Sequence, residues 1–334
     1  MSPSSAADGH GIPGMTTAVN GPGLATVTVN GAQTLAVWAD GFVMPLAQAA
    51  RRCGVAATPP VSVREALSDW DRWCAVLRDV TGDGAAGDGA AGWLPEADVA
   101  FLPAIADPSS IYCAAANYYD HTEEMRGKGR GAAGQSPMFF LAPPAALSGH
   151  RHEVARPAGC ERFDWEVELA VVIGQDAKDV AAADAGGVIA GYAVANDLSM
   201  RDFARRDDYP FFPDWLRAKC YAGCLPVGPA IVPACFAPDP MKLDLSLTVN
   251  GEQRQASNTK NMIFSIAGQI EYLSRIVPLR AGDVILTGTP AGTAAAWGSY
   301  LSPGDVMVAE ICGLGRLETR VTDTAVTAEG GKRR

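Results

Sequence analysis

Residues 163–174, FDWEVELAVVIG, carry the clearest alternation of apolar and polar positions in the chain. Trp165, Val167, Leu169, Val171 and Ile173 alternate with Glu166 and Glu168 before the run turns wholly apolar. A period of two with β-branched content predicts a strand. Residues i and i+2 of a strand share a face, so Glu166 and Glu168 project to the same side. Neighbouring carboxylates repel, and burying them unpaired is costly. Either that face lies in water, as in an ordinary half-buried strand, or the pair serves a hard cation such as Mg²⁺ or Mn²⁺, which oxygen ligands suit.

The same reading places elements along the rest of the chain. ATVTV (25–29) and QTLAVWA (33–39) flank Asn30-Gly31, a strong hairpin signal, and Asn250-Gly251 follows the alternating run 243–249. Short strands are predicted at 110–115, 138–141, 188–195, 284–287 and 306–311, the last two each introduced by a Gly-Asp-Val turn, at Gly282-Asp283 and Gly304-Asp305. Apolar positions 63, 66, 67, 70, 73, 74 and 77 predict one helix over 63–77, with Ser62 as N-cap and Glu65 three residues on. A second helix is predicted over 262–276, capped by Thr259 or Asn258. Residues 1–23 read as a flexible N-terminus, 24–105 as a small α+β domain, and 106–325 as a strand-rich domain that carries the chemistry. Frequent turns and few helices there favour a rolled or sandwiched sheet over a doubly wound one. Residues 81–92 and 126–136 are Gly-rich; the second stretch has the composition of a lid, and the tail after 322 reads as frayed.

Composition narrows the function. Of 334 residues, 27 are Lys or Arg and 37 Asp or Glu, giving a net charge of -10. That balance argues against nucleic-acid binding and leaves an acidic substrate dependent on a local cation. No stretch approaches a membrane span. The eight cysteines are scattered without a CxxC pair, and no secretory leader is recognisable, so reduced thiols and a cytoplasmic location are expected. Neither a dinucleotide fingerprint nor a P-loop occurs.

Four further features could bear on catalysis, each with an ordinary alternative. His121 and Glu124 are three apart and share one helical face, where a carboxylate would tune an imidazole base, or where the two form a surface pair. Asp197 ends a strand, facing a cleft or capping a turn. Lys219 follows a partly apolar segment and could simply be solvated. Residues 288–292, GTPAG, form a tight turn whose amides could face an anion, or a plain connection.

Together, several blocks in order resemble the fumarylacetoacetate hydrolase family: NYYDHTEEM (117–125), FDWEVELAVVIG (163–174), GYAVANDLSMRD (191–202), WLRAK (215–219), NTKNMIF (258–264) and LRAGDVILTGTPAG (279–292). The resemblance covers about Ile111 to Val321. It implies an α+β, mostly β fold, a mixed β-sandwich roll with the smaller N-terminal domain attached, and a homodimer. It implies a divalent ion, Mg²⁺ or Mn²⁺ with Ca²⁺ possible, held by Glu166, Glu168 and Asp197. His121 and Glu124 would form the catalytic pair, with Glu124 on the lid, and Lys219 would add a catalytic cation. Tyr119, Arg201 and Thr289 would contact a small anionic keto acid. The leading expectation is hydrolysis of a C–C bond in an acylpyruvate-type 2,4-diketo acid. An isomerase or decarboxylase of keto or enol acids on the same site is the first alternative, and a noncatalytic ligand-binding relative the second. The chain departs from the family's pattern at Ala142, Ala204 and Ala222, where polar residues are usual. Its 207–215 stretch, DDYPFFPDW, is longer and more aromatic than usual.

Overall fold

A computed structural model describes residues 20–82, 86–87, 90–126 and 135–323. The expected flexible N-terminus (apart from 20–23), most of the tail after 322, the core of the 126–136 stretch and part of 81–92 lie outside those residues. Among the described residues, strands dominate. One large sheet runs Leu94–Pro95, Phe42–Pro45, Ala32–Ala39, Gly23–Val29, Leu225–Pro233, Ile189–Asn196, Val167–Ile173, Val284–Leu286, Ile111–Ala115, Met138–Ala142. A second sheet runs Glu252–Asn258, Asp244–Val249, Val306–Ile311, Gly315–Thr322, His152–Ala155. Strands from both sides of residue 105 share the first sheet, because Gly23–Val29 pairs with Leu225–Pro233. No helix is long and apolar enough to cross a membrane.

The central strand Val167–Ile173 is buried along its whole length. Leu169, Val171 and Ile173 pack with Leu245, Leu247, Met307 and Ile311 of the second sheet. Ala170 and Val172 pack on the opposite face, in the core that holds Leu77 and Trp73 of the Trp70–Thr81 helix. A strand covered on both faces needs no polar alternation, which accounts for the unbroken apolar run. Glu166 and Glu168 have the parity of Ala170 and Val172, at the strand's N-terminal end.

The turn chemistry matches the structure closely. Asn30 and Gly31 have φ of 51° and 78°, Asn250 and Gly251 of 52° and 82°, and each pair joins adjacent antiparallel strands. Positive φ at both central residues is what a type I′ hairpin requires. The twin Gly-Asp-Val turns are also alike: Asp283 accepts from the Arg280 amide at 2.8 Å, and Asp305 from the Ser302 amide at 2.7 Å.

Three elements differ from the periodic reading. The 63–77 helix is two helices, Val63–Leu67 and Trp70–Thr81. Ser68 Oγ donates to the Glu65 carbonyl at 2.7 Å, and this side-chain competition ends the first turn. The second predicted helix starts at Ile266, not Met262, and Ser265 caps it, accepting from the Gly268 amide at 3.1 Å. Asn258 instead caps the short turn Thr259–Asn261. Residues 262–264 stay out of the helix because they bind Asn117: Ile263 N donates to the Asn117 carbonyl at 2.8 Å and Phe264 N to its Oδ1 at 2.8 Å. Last, the 163–174 strand is broken at Trp165 and Glu166, dividing it into Phe163–Asp164 and Val167–Ile173.

Ser62 does cap the first of the split helices, accepting from the Glu65 amide at 3.2 Å. Ser62→Ala is expected to lower unfolding free energy by about 1 kcal/mol. Denaturant melts of the variant and the wild type check the change.

Candidate active site

The break in the 163–174 strand positions the site. Three successive amides leave the sheet ladder and are taken by side chains. Trp165 N donates to Asp164 Oδ1 at 2.7 Å, Glu166 N to Asn196 Oδ1 at 2.9 Å, and Val167 N to Gln255 Oε1 at 2.9 Å. Asp197 N in turn donates to the Glu166 carbonyl at 2.9 Å. Glu166, Glu168 and Asp197 are thereby gathered, fully buried, with one oxygen of each within 4.8 Å of the others.

Two cations are built into the cluster. Lys219 Nζ lies 2.6 Å from Glu166 Oε2 and 2.7 Å from Asp197 Oδ2. Arg201 bridges Asp164, at 2.7 Å through Nε, and Glu166 through its other nitrogen. The short helix Trp215–Lys219 delivers the lysine, and Asp214 caps it, accepting from the Arg217 amide at 3.1 Å. Asp164 was not anticipated as a site residue. It is buried, and besides Arg201 it holds the Ala294 amide at 2.6 Å. It stands two residues before Glu166, so the row Asp164, Glu166, Glu168 was visible as a period of two.

The electrostatics divide the carboxylates. Burial pushes Glu166 up, but Lys219 and then Arg201 outweigh it and hold the group at about 2. Asp197 is raised by burial, with Lys219 opposing and Glu166 adding, to about 6. Glu168 touches neither cation; burial and the charges of Asp197 and Glu166 lift it well above the ordinary 4.5. Fully ionised, the four carboxylates exceed the two cations by two negative charges, which one divalent ion would neutralise. An all-oxygen donor set with that charge fits Mg²⁺, Mn²⁺ or Ca²⁺.

The His–Glu pair lies on the helix Tyr119–Arg126, with His121 Nδ1 3.2 Å from Glu124 Oε2. The turn 288–292 holds this helix and the carboxylate cluster together. Gly288 N donates to Glu168 Oε2 at 2.7 Å, Gly292 N to Glu124 Oε1 at 2.8 Å, and Ala291 N to Asp120 Oδ1 at 3.4 Å. The amides of this turn do face anions, but these belong to the chain itself. Gly288 has φ of 99°, and a Cβ there would sit 2.7 Å from Asn117 Cβ. Only glycine fits that approach. Asn117 Nδ2 also donates to the Thr287 carbonyl at 2.7 Å, and Gln255 Nε2 to Thr289 Oγ1 at 2.9 Å. Neither Asn117 nor Gln255 carried a local signal in the sequence.

A cavity of about 480 Å³ opens over the cluster. His121, Glu166, Glu168, Asp197, Arg201, Lys219 and Thr289 all line it. Glu124 stands behind His121 instead of on the wall. Tyr119 is 43% exposed and does not line the cavity, so the structure does not bring it to the substrate space. Ala142, Ala204 and Ala222 are absent from the wall as well. The anticipated lid, 124–136, is described only at its ends.

A family model for the fumarylacetoacetate (FAA) hydrolase C-terminal region matches residues 110–322. The chain belongs to the fumarylacetoacetate hydrolase family. Within it, the chain is 38% identical over 221 residues to the 4-hydroxyphenylacetate degradation bifunctional isomerase/decarboxylase of Escherichia coli, a match covering 66% of this chain and 48% of that protein. It is 36% identical over 230 residues to the human mitochondrial oxaloacetate tautomerase FAHD2A, covering 68% of this chain and 71% of the relative. Among solved structures, a fumarylacetoacetate hydrolase from Exiguobacterium antarcticum aligns with a TM-score of 0.72 at 28% identity, covering 91% of this chain and all of that one. The family's mostly β, α+β fold is the one expected.

The charge balance sets a test of ion binding. Acids whose folded pKa is raised bind protons that the unfolded chain releases, so stability falls as pH rises through that interval. For the ion-free protein the fall begins at the ordinary Asp value of 3.8, passes through the Asp197 value of about 6 and continues as Glu168 titrates. Glu166, held at about 2, contributes a constant stabilisation above pH 4.5. Mn²⁺ should therefore raise Tm at pH 7.5 and progressively less toward pH 5. Glu168→Gln should abolish the Mn²⁺ shift while leaving the EDTA-treated protein at least as stable as wild type, since a buried like charge is removed. Thermal melts across pH, with EDTA or Mn²⁺, read both; a shift indifferent to pH, or kept by the variant, would contradict the assignment.

Proposed function

We propose that this chain is a divalent-metal-dependent enzyme of small anionic keto acids, and that its central step is proton transfer at the carbon beside a 2-oxo group. The observation that carries the proposal is the placement of His121 on the same cavity wall as Glu166, Glu168 and Asp197. Hydrolysis was the leading expectation from sequence. The relatives back isomerisation or decarboxylation better, since two of the three described above carry such names.

The residues support this chemistry as follows. Nδ1 of His121 faces Glu124, which leaves Nε2 as the basic atom for the cavity. Burial opposes ionisation of Glu124, but His121 and the Gly292 amide outweigh it and keep the carboxyl below its ordinary value, so it stays an acceptor that orients the imidazole. Nε2 takes a proton from carbon 3 of the keto acid, leaving an enolate, and the proton is returned to the enolate oxygen or to a conjugated carbon, so the net change is a shift of one hydrogen. When bound at the three carboxylates, the ion supplies Lewis-acid polarisation of the 2-oxo group and stabilises enolate charge. Lys219 lines the cavity and adds positive charge near the substrate oxygens.

Hydrolysis is the second reading, and the His121–Glu124 pair specifically favours it. The same nitrogen could take its proton from water, whose oxygen then attacks the distal carbonyl of a 2,4-diketo acid; the C3–C4 bond breaks, its electron pair leaves with the pyruvate enolate, and the proton returns to carbon 3.

A substrate panel separates the two. Oxaloacetate enol, an unsaturated 2-hydroxy dienedioate and an acylpyruvate are offered with Mg²⁺ or Mn²⁺, and again with EDTA. Metal-dependent tautomer or isomer interconversion is expected, followed by ultraviolet absorbance. His121→Ala should lower that rate by about 10²–10⁴-fold. Release of acid from the acylpyruvate alone would make hydrolysis the function, and silence across the panel would overturn the enzyme assignment.

A further inference from the structure

The cavity is far larger than the keto-acid head requires, and its wall is of two kinds. Polar groups gather around the carboxylate cluster. Beyond them stand Phe140, Trp215, Phe212, Pro213, Met125 and Met138. Phe140 marks the border: Lys219 Nζ sits 6.0 Å from its ring centroid, and Trp215 stacks on it at 5.0 Å with the ring planes 5° apart. Phe212 and Pro213 come from the aromatic stretch 207–215. Phe212 is 73% exposed, a large apolar side chain held in water at the cavity rim.

We propose that the substrate carries an uncharged, ring-bearing or branched apolar tail, seated against Phe140, Trp215 and Phe212. This rests on the keto-acid reading of the cluster and adds the other half of the molecule. About 480 Å³ lies within the range of cavities that hold drug-sized ligands, and a three-carbon head fills a fraction of it. The charge inventory excludes the opposite kind of tail. Among the described residues of this wall the permanent cations are Arg201 and Lys219, and both are engaged by Asp164, Glu166 and Asp197. A second carboxylate in the aromatic part would lose its water without gaining a partner, which is costly. An apolar tail instead covers rings that otherwise face solvent, and a flat one can extend the Phe140–Trp215 stack.

One rival direction exists. Across His121 lies a smaller pocket of about 250 Å³, lined by Arg162, Arg201 and Tyr300 among others. Arg162 could receive a carboxylate there. Its Nε already donates to the Tyr300 hydroxyl at 3.1 Å and its guanidinium lies 5.3 Å from that ring. It is exposed, so water competes for its remaining donors.

Calorimetric binding in Mn²⁺ decides between them, using three compounds that share a chelating head: oxalate, with no tail; 2-oxo-4-phenylbutanoate; and 2-oxoadipate, whose tail is anionic. The phenyl compound should bind at least about tenfold tighter than 2-oxoadipate, and Phe212→Ser and Trp215→Leu should each weaken it about fivefold, the scale of one aromatic contact. Oxalate should bind both variants as it binds wild type, which also verifies that Lys219, on the same helix as Trp215, has kept its place. Equal or tighter binding of 2-oxoadipate, or phenyl-compound affinity indifferent to both substitutions, overturns the proposal. If Arg162→Gln then removes the 2-oxoadipate affinity, the tail runs across His121. Failure of oxalate to bind at all has a different meaning: the keto-acid reading of the cluster falls, and the tail assignment falls with it.

Discussion

The structure is organised around a charge that it does not balance by itself. Asp164, Glu166, Glu168 and Asp197 are buried within one small volume, with Lys219 and Arg201 as their protein counter-charges. Burial of ions is tolerated only with good partners, and here the partners fall short by two charges. The shortfall is concentrated on Glu168, which accepts from the Gly288 amide while the ion pairs of Lys219 and Arg201 go to Asp164, Glu166 and Asp197. A fold selected for stability alone would place an apolar residue at 168, as it does at 170 and 172 on the same face. The carboxylate at 168 has its physical reason in the proposed ion, and the rest of the sheet carries its energetic burden.

That burden explains the density of support around the cluster. The kink at Trp165 and Glu166 gives up ladder bonds in the middle of an otherwise regular strand, and Asp164, Asn196 and Gln255 replace them with side-chain acceptors. Gln255 also reaches Thr289 and the Pro290 carbonyl, both at 2.9 Å. The 288–292 turn thus touches Glu168 at one end and Glu124 at the other. One loop sets the distance between the ion-binding oxygens and the imidazole. Catalysis by proton transfer depends on such fixed separations, since a base displaced by an ångström loses most of its effect.

The legible part of this arrangement was local. Period-two alternation revealed the strand and the shared face of Glu166 and Glu168, and the Asn-Gly and Gly-Asp-Val turns read correctly because their backbone demands are met within four residues. The 262–276 helix was misplaced by four residues for the opposite reason. Residues 262–264 have helical periodicity, but Asn117, some 147 positions away, holds them out of the helix. Ser68 split the other long helix by a bond within its own turn, a cue that periodicity alone passes over. Asp164 was within reach of the alternation argument and was left out. Lys219 and Arg201 became interpretable only through resemblance, since a lysine in a short partly apolar segment has no pattern that points to a carboxylate 53 residues earlier.

The site also accounts for why relatives with one fold carry names from different reaction classes. A cluster that stabilises negative charge on a 2-oxo acid stabilises an enolate whether that enolate arises by loss of a proton, of carbon dioxide or of an acyl group. These outcomes differ in which group leaves carbon 3, and so in what the substrate carries beyond that carbon. Variation in the carboxylates would therefore abolish all the reactions together, whereas variation in the opposite wall can choose among them. In this chain that wall is built by Phe140, Trp215 and the 207–215 stretch, while the alanines at 142, 204 and 222 lie off it. On the proposal made above, the choice of substrate rests on these aromatic residues and on how they pack beside the carboxylate cluster.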